Sequence, residues 1–228
     1  MVTNMQKKLF KKASIYDLKN TATVGGYNHT RFSYINGYYE AGKSLIEIAI
    51  NEKYSYKKDT LFYPTCFNYR HYLELHLKSL IIDTETLYEK MDTLGYLENG
   101  VLSNKISDNI DNTHNLDTLF ELFLERLLLV SNEVFPLNIK KYIRQMYNMD
   151  TNGQKFRYYT GKNKKLSFPK EEQFDIENIS KIMEEVHNLL WGVDGWLDHY
   201  IQMSNDILYD YEQEMRLAME QEMRSYYY

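Results

Sequence analysis

"YPTCFNYRHYLELHLKSLI", Tyr63 to Ile81, sets Arg70, His71, Glu74, His76 and Lys78 into an otherwise apolar helical pattern. At about 100° per residue, Arg70, Glu74, Lys78 and His71 share one face about 100° wide. Cys66, Tyr69, Leu73, Leu77 and Leu80 form the adjoining apolar stripe. Glu74 is four residues from both Arg70 and Lys78, so an ion pair is available on either side. His76 stands apart, on the far border of the stripe. Such a face is either a site of chemistry or a ladder of mutually satisfied charges at a helix–helix contact, and both readings stand at this point.

The surrounding chain is written for helices. It has 228 residues, enough for a substantial core. With 43% hydrophobic and 26% charged residues it is globular rather than disordered. Three prolines and ten glycines are few for a sheet protein, and 22 tyrosines give much of the apolar area a hydroxyl. Residues 1–30 read as loop. From about Tyr34, Tyr38, Ala41, Leu45 and Ile48 recur at helical spacing, and Pro64 suits the first turn of a second helix running to about Asp83. Residues 92–113 are rich in Asn, Asp and Gly and read as a long connection. Asn112 or Thr113 can cap a third helix with the stripe Leu116, Leu119, Phe120, Phe123, Leu127 and Leu128. A fourth spans roughly Pro136 to Met149. "KFRYYT" and "KLSF" around "GKNK" predict a short β-hairpin. Asp175 can cap a long last helix, which Gly192 and Gly195 are expected to bend or break. The tail repeats "EQEMR" at 212–216 and 220–224. The expectation is an all-α antiparallel bundle with one short β-hairpin and a long C-terminal helix: a loop-like segment 1–30, a bundle domain 31–205 and a charged helical tail 206–228.

Several function classes lose ground. Cys66 is the lone cysteine, so neither an internal disulfide nor a cysteine-based zinc site can form, and it fits a structural place on the apolar stripe. The start, "MVTNMQKKLFKK", lacks the apolar run of a secretory signal, and no stretch is apolar enough to span a bilayer. A cytoplasmic protein without membrane contact is the expectation. "GYYEAGKS", Gly37 to Ser44, fits the phosphate-loop pattern, and "LIID", Leu80 to Asp83, can pose as its second motif. The helical pattern runs straight through the first and ends with the second, and no strand–helix series builds the required sheet. "EEVH" offers Glu184 and His187 at di-iron spacing, but only one such pair is present. No metal and no cofactor is expected.

"FNYRHYLELHLKSLI", "THNLDTLFE" at 113–121 and "DTNGQKFRYYT" at 150–160, with the first helix "GYYEAGKSLIEIA", resemble uncharacterised bacterial helical proteins carrying RH-x-x-EL-x-LK. That arrangement is similar to the HEPN superfamily (higher eukaryotes and prokaryotes nucleotide-binding), over roughly residues 36–190. The resemblance implies a helical bundle, usually a homodimer. It also implies a metal-independent ribonuclease, or an RNA- or nucleotide-binding protein, of a toxin–antitoxin or antiphage system with an antitoxin or other defence protein as partner. Arg70 would clamp the scissile phosphate and His76 would move the proton, with His71 between them. Glu74, Lys78 and His114, which matches a "GHDL"-like motif, would support them; the plain reading of His114 is a helix-start residue. Lys155, Arg157, Lys162, Lys164 and Lys165, interleaved with Phe156, Tyr158 and Tyr159, suit single-stranded nucleic acid; the plain reading is an exposed hairpin with solvated lysines. The alternative function is a non-catalytic binding or dimerisation module whose Arg70–Glu74–Lys78 face is structural or docks a partner.

Overall fold

The computed structural model describes residues 9–10, 18–26, 30–97, 105–161 and 163–225. Five α-helices carry the fold: α1 (Arg31–Asn51), α2 (Ser55–Thr93), α3 (Leu116–Val130), α4 (Leu137–Met149) and α5 (Ile176–Ser225). Two short 3-10 turns, Leu18–Asn20 and Ser107–Asn112, complete it. The chain is all-α, and no helix among the described residues is long and apolar enough to cross a membrane.

α1 buries Ile35, Tyr39, Gly42, Ile46 and Ala49, spaced by three and four residues along one face. Three residues connect it to α2, which turns back and packs along it. The helices meet closely at Gly42, where an added Cβ would stand 2.8 Å from the Tyr69 ring. The phosphate-loop look-alike Gly37–Ser44 is therefore continuous helix, and its second glycine serves helix packing.

α2 is the axis of the bundle. It has 39 residues, about 58 Å at 1.5 Å per residue, and touches α1, α3 and α5. Between Tyr69 and Ile81 it is buried on nearly every side, which is why its polar residues lie inside. Leu73, Leu77, Leu80 and Ile81 join Phe120 and Phe123 of α3 and Val186 and Leu190 of α5 in one core. The helix begins nine residues before Pro64, not at it. Pro64 and Thr60, whose carbonyl loses its helical partner to the proline ring, both stand on an exposed face.

Three further expectations are corrected. The cap of α3 is Asn115, whose side chain accepts from the backbone N–H of Asp117 and Thr118 at 3.0 and 3.1 Å. Gly192 and Gly195 neither break nor end α5, which runs 50 residues without interruption. Each glycine costs about 1 kcal/mol, and burial of Leu190 and Leu197 on either side offsets that. The β-hairpin reduces to one antiparallel bridge between Thr160 and Leu166. Residues 154–158 coil because the Gln154 carbonyl accepts from both Arg157 and Tyr158 N–H, which turns Phe156 into the interior. Asp175 caps α5 as expected, accepting from Asn178 N–H at 3.0 Å. Beyond Ser204 almost every residue of α5 is exposed.

Candidate functional site

Arg70, Glu74 and Lys78 lie on successive turns of α2 and are 3%, 5% and 8% exposed. Arg70 Nη1 donates to Glu74 Oε2 at 3.1 Å, and Lys78 Nζ to Glu74 Oε1 at 3.2 Å. The same cations reach outside the helix. Arg70 Nη2 donates to the His114 carbonyl at 2.8 Å, Arg70 Nε to the Asp150 carbonyl at 3.0 Å, and Lys78 Nζ to the Asp111 carbonyl at 3.1 Å. Asp150, fully buried, places Oδ2 3.8 Å from Arg70 Nε. Two positive and two negative groups thus balance inside one protomer. One guanidinium bolts the loop before α3 and the loop after α4 onto α2.

Both loops need local chemistry to sit there. Asp150 Oδ1 accepts from Gln154 and Lys155 N–H at 2.9 and 3.0 Å, closing a turn. Gly153 has φ +70°, and a Cβ on it would stand 2.8 Å from Arg70 Nη1. Glycine satisfies both the left-handed backbone and the close approach.

The ladder presents one open group. His114 Nδ1 is 2.8 Å from Glu74 Oε1, while its side chain is 65% exposed. A carboxylate only accepts, so Nδ1 carries the hydrogen and donates, which leaves Nε2 facing solvent. Burial pushes the Glu74 carboxyl up, but the His114 hydrogen bond and the Lys78 charge outweigh this and hold it below its ordinary value. Glu74 is therefore an ionised, buried orienter for an exposed imidazole.

His71, the residue after Arg70, belongs to an aromatic and cationic surface. The His71 ring stacks on Phe67 at 5.8 Å between centroids and meets Tyr38 edge-on at 4.3 Å. Burial and then the neighbouring cations, set against the Glu74 charge, leave the His71 imidazole below its usual range. The Arg157 guanidinium lies 5.4 Å over the Phe67 ring and 5.3 Å over Tyr158. Tyr158 is half exposed and Tyr159 largely so. Lys155 rests over Phe168 at 4.3 Å, and Lys164 and Lys165 are exposed at the loop tip. Lys162 lies outside the described residues.

His76 takes no part in this. It is 0% exposed, and burial depresses its pKa to about 3. Its Nδ1 lies 3.0 Å from Tyr72 Oη, and the same oxygen lies 3.0 Å from His187 Nδ1. His76 is thus placed on the side of α2 that faces α5, with Arg70 held on the side that faces the two loops. Among the described residues, Glu184 and His187 included, no three His, Cys, Asp or Glu side chains are placed together to hold a metal ion.

Sequence reasoning passed over Asp150, Phe67 and Tyr72, and weighed His187 only for its metal-like spacing from Glu184. Asp150 opens "DTNG", a turn signal that marks where a buried carboxylate closes a loop. Tyr72 and His76 are four apart on one helix, a spacing that signals contact. Phe67 with His71 and His187 with Trp191 show the same spacing, but nothing local announces their partners Arg157 and Tyr72 on distant segments. The sequence matches no protein-family model, and no curated protein or solved structure is significantly similar to it.

Proposed function

We propose that the protein is a HEPN-like helical RNA-binding protein in which the Glu74–His114 pair supplies acid–base chemistry for metal-independent phosphodiester cleavage. The carrying observation is the imidazole of His114, oriented through Nδ1 by a buried carboxylate and open at Nε2. Neutral imidazole is the side chain suited to take a hydroxyl proton near pH 7. In this reading Nε2 accepts the 2′-hydroxyl proton as that oxygen attacks phosphorus. The 5′-oxygen leaves with a proton from solvent, giving a cyclic phosphate and a new 5′-hydroxyl. Arg157 meets the backbone charge, and Phe67, Tyr158 and Tyr159 offer faces on which bases stack.

The cation content of the loop supports the same reading. Lys155, Arg157, Lys162, Lys164, Lys165 and Lys170 fall within residues 151–170, a stretch without Asp or Glu. A local basic patch is compatible with the net charge of −5, because nucleic-acid binding follows the patch and not the total. Arg70 and His76 have different roles here from those the family resemblance implies: Arg70 builds the site, and His76 lies apart from it. The reading includes a homodimer and a defence-system partner such as an antitoxin, for which solution mass with and without RNA is the check.

The test is binding and cleavage of a fluorescent single-stranded RNA by wild type and Arg157→Ala. Arg157→Ala is expected to weaken binding about five- to tenfold and to flatten its salt dependence. RNA affinity equal to wild type would sink the assignment of this face. Binding without products at any protein concentration would favour the non-catalytic binding module instead.

A further inference from the structure

Two cavities, of about 300 and 340 Å³, adjoin where the loop after α4 lies against α2, and they share Tyr63, Phe156, Arg157 and Tyr158 as lining. The smaller adds Lys155, Tyr159, Ser167 and Phe168, and the larger adds Pro64 and Phe67. Rings make up most of both walls, and packing beneath fixes them. Buried Phe156 stands 6.0 Å from Phe62 and 5.9 Å from Phe168 between centroids, and Tyr63 meets Phe168 edge-on at 5.6 Å. Tyr158 and Tyr159, both exposed, carry the walls to the surface.

The cations of these cavities have no counter-charge. Arg157 lies over the Phe67 and Tyr158 rings, at 5.4 and 5.3 Å, and its Nη2 donates to Tyr158 Oη at 3.2 Å. Lys155 Nζ, set over Phe168, reaches the Met149 sulfur at 3.5 Å. Among the described residues neither cation meets a carboxylate, whereas Arg31, Arg70, Arg126 and Arg144 each do. A ring face attracts a cation without cancelling its charge. Such walls select an anion with flat aromatic parts, its phosphate on the guanidinium and its bases on the rings. Because Arg157 lines both cavities, one phosphate held there serves a base in each.

We propose that the paired cavities seat two successive unpaired nucleotides of one RNA strand, one base in each, with the phosphate that joins them on Arg157. This rests on the reading of the Arg157 face as an RNA surface and adds its unit of recognition. About 300 Å³ is the low end for a ligand cavity, room for one base and not for a base pair. Ring faces accept every base, so the ligand class is unpaired RNA of any sequence.

Calorimetric titration of the full chain with 2′-O-methyl UMP and 2′-O-methyl UpU tests it. The 2′-O-methyl group blocks the attacking oxygen, so binding is read without cleavage. The dinucleotide carries no more charge than the mononucleotide, so any gain reports the second base. UpU is expected to saturate with Kd of about 1 mM or tighter, and about tenfold or more below that of UMP. Tyr159→Ala removes an exposed ring that lines only the smaller cavity, and should cut that gain to about threefold or less. Equal affinity for the two ligands, or a gain that persists undiminished in Tyr159→Ala, overturns the proposal. An acidic peptide, Glu-Tyr-Glu-Tyr, that binds as tightly as UpU would assign the cavities to a protein partner and overturn it too. A 2′-O-methyl strand of about twelve nucleotides separates the two readings, since its site covers several bases. If it binds while UpU shows no gain, the two-cavity register alone fails. If it does not bind, the RNA face fails as well.

Discussion

At Arg70 the donors of one guanidinium meet acceptors from three parts of the chain: Glu74 on its own helix, the His114 carbonyl and the Asp150 carbonyl. Lysine keeps the charge but offers a single compact ammonium in place of a planar fork. Arg70→Lys is therefore expected to lose about 2–4 kcal/mol in urea unfolding, because a buried acceptor set is left partly unpaired. Unchanged stability would show that the loops are held by something else. The ladder itself is legible in the four-residue spacing of Arg70, Glu74 and Lys78. What it grips is not, because those carbonyls lie 44 and 80 residues away. His76 shows the same limit: helical spacing separates it from Arg70, but only the fold reveals His187 on the other side of the Tyr72 hydroxyl. Its depressed pKa has a consequence for acid stability. The unfolded chain takes up a proton near pH 6.5 that the folded imidazole refuses until about 3, so stability is lost as pH falls through that window. Asp194 acts oppositely. Burial and then the Asp83 and Asp198 charges raise it to about 6, so its contribution is present below its ordinary 3.8 and lost as pH rises through 6. Between about pH 4 and 6 the two offset each other, each near 1.4 kcal/mol per pH unit. Asp194→Asn should steepen the acid limb of the stability–pH curve and His76→Phe should flatten it. Unaltered slopes in both would contradict the buried pair.

The elements were easier to read than their ends. Apolar spacing finds α1 and α3 within a few residues, but it names the wrong stripe on α1, where Ile35, Tyr39, Gly42, Ile46 and Ala49 are buried and Ile48 is exposed, and on α3 it includes the exposed Leu128. α2 is buried nearly all round, so its periodicity weakens, and Pro64 marks a helix start that in fact lies at Ser55. The pair Gly192 and Gly195 suggests a break, yet packing of α5 on α2 outweighs two local costs of about 1 kcal/mol each. Gly42 carries the opposite lesson: a motif glycine that resembles part of a phosphate loop is needed for contact between two helices. Gly42→Ala gains helix propensity but drives a methyl into the buried Tyr69 ring. A net loss of about 1–2 kcal/mol in thermal or urea unfolding is expected. A stabilised Gly42→Ala protein would mean that α1 and α2 sit farther apart.

For the whole molecule, α2 divides the bundle into two sides. One carries the two loops, the His114 imidazole and the Arg157 surface; the other carries the histidine–tyrosine chain and Asp194. α5 supports the core as far as Ser204, and its exposed continuation adds little burial. A chain ending at Ser204 is expected to melt within about 3 °C of the full protein; a larger fall would reveal packing by residues 205–225. In the proposed function, His114, oriented by Glu74, moves a proton on bound RNA. That step is tested most directly by incubating labelled single-stranded RNA with wild type and His114→Ala in EDTA. Wild type is expected to cleave and the variant to lose about 100-fold or more, with melting temperature and RNA affinity retained. Cleavage by His114→Ala at the wild-type rate would contradict it.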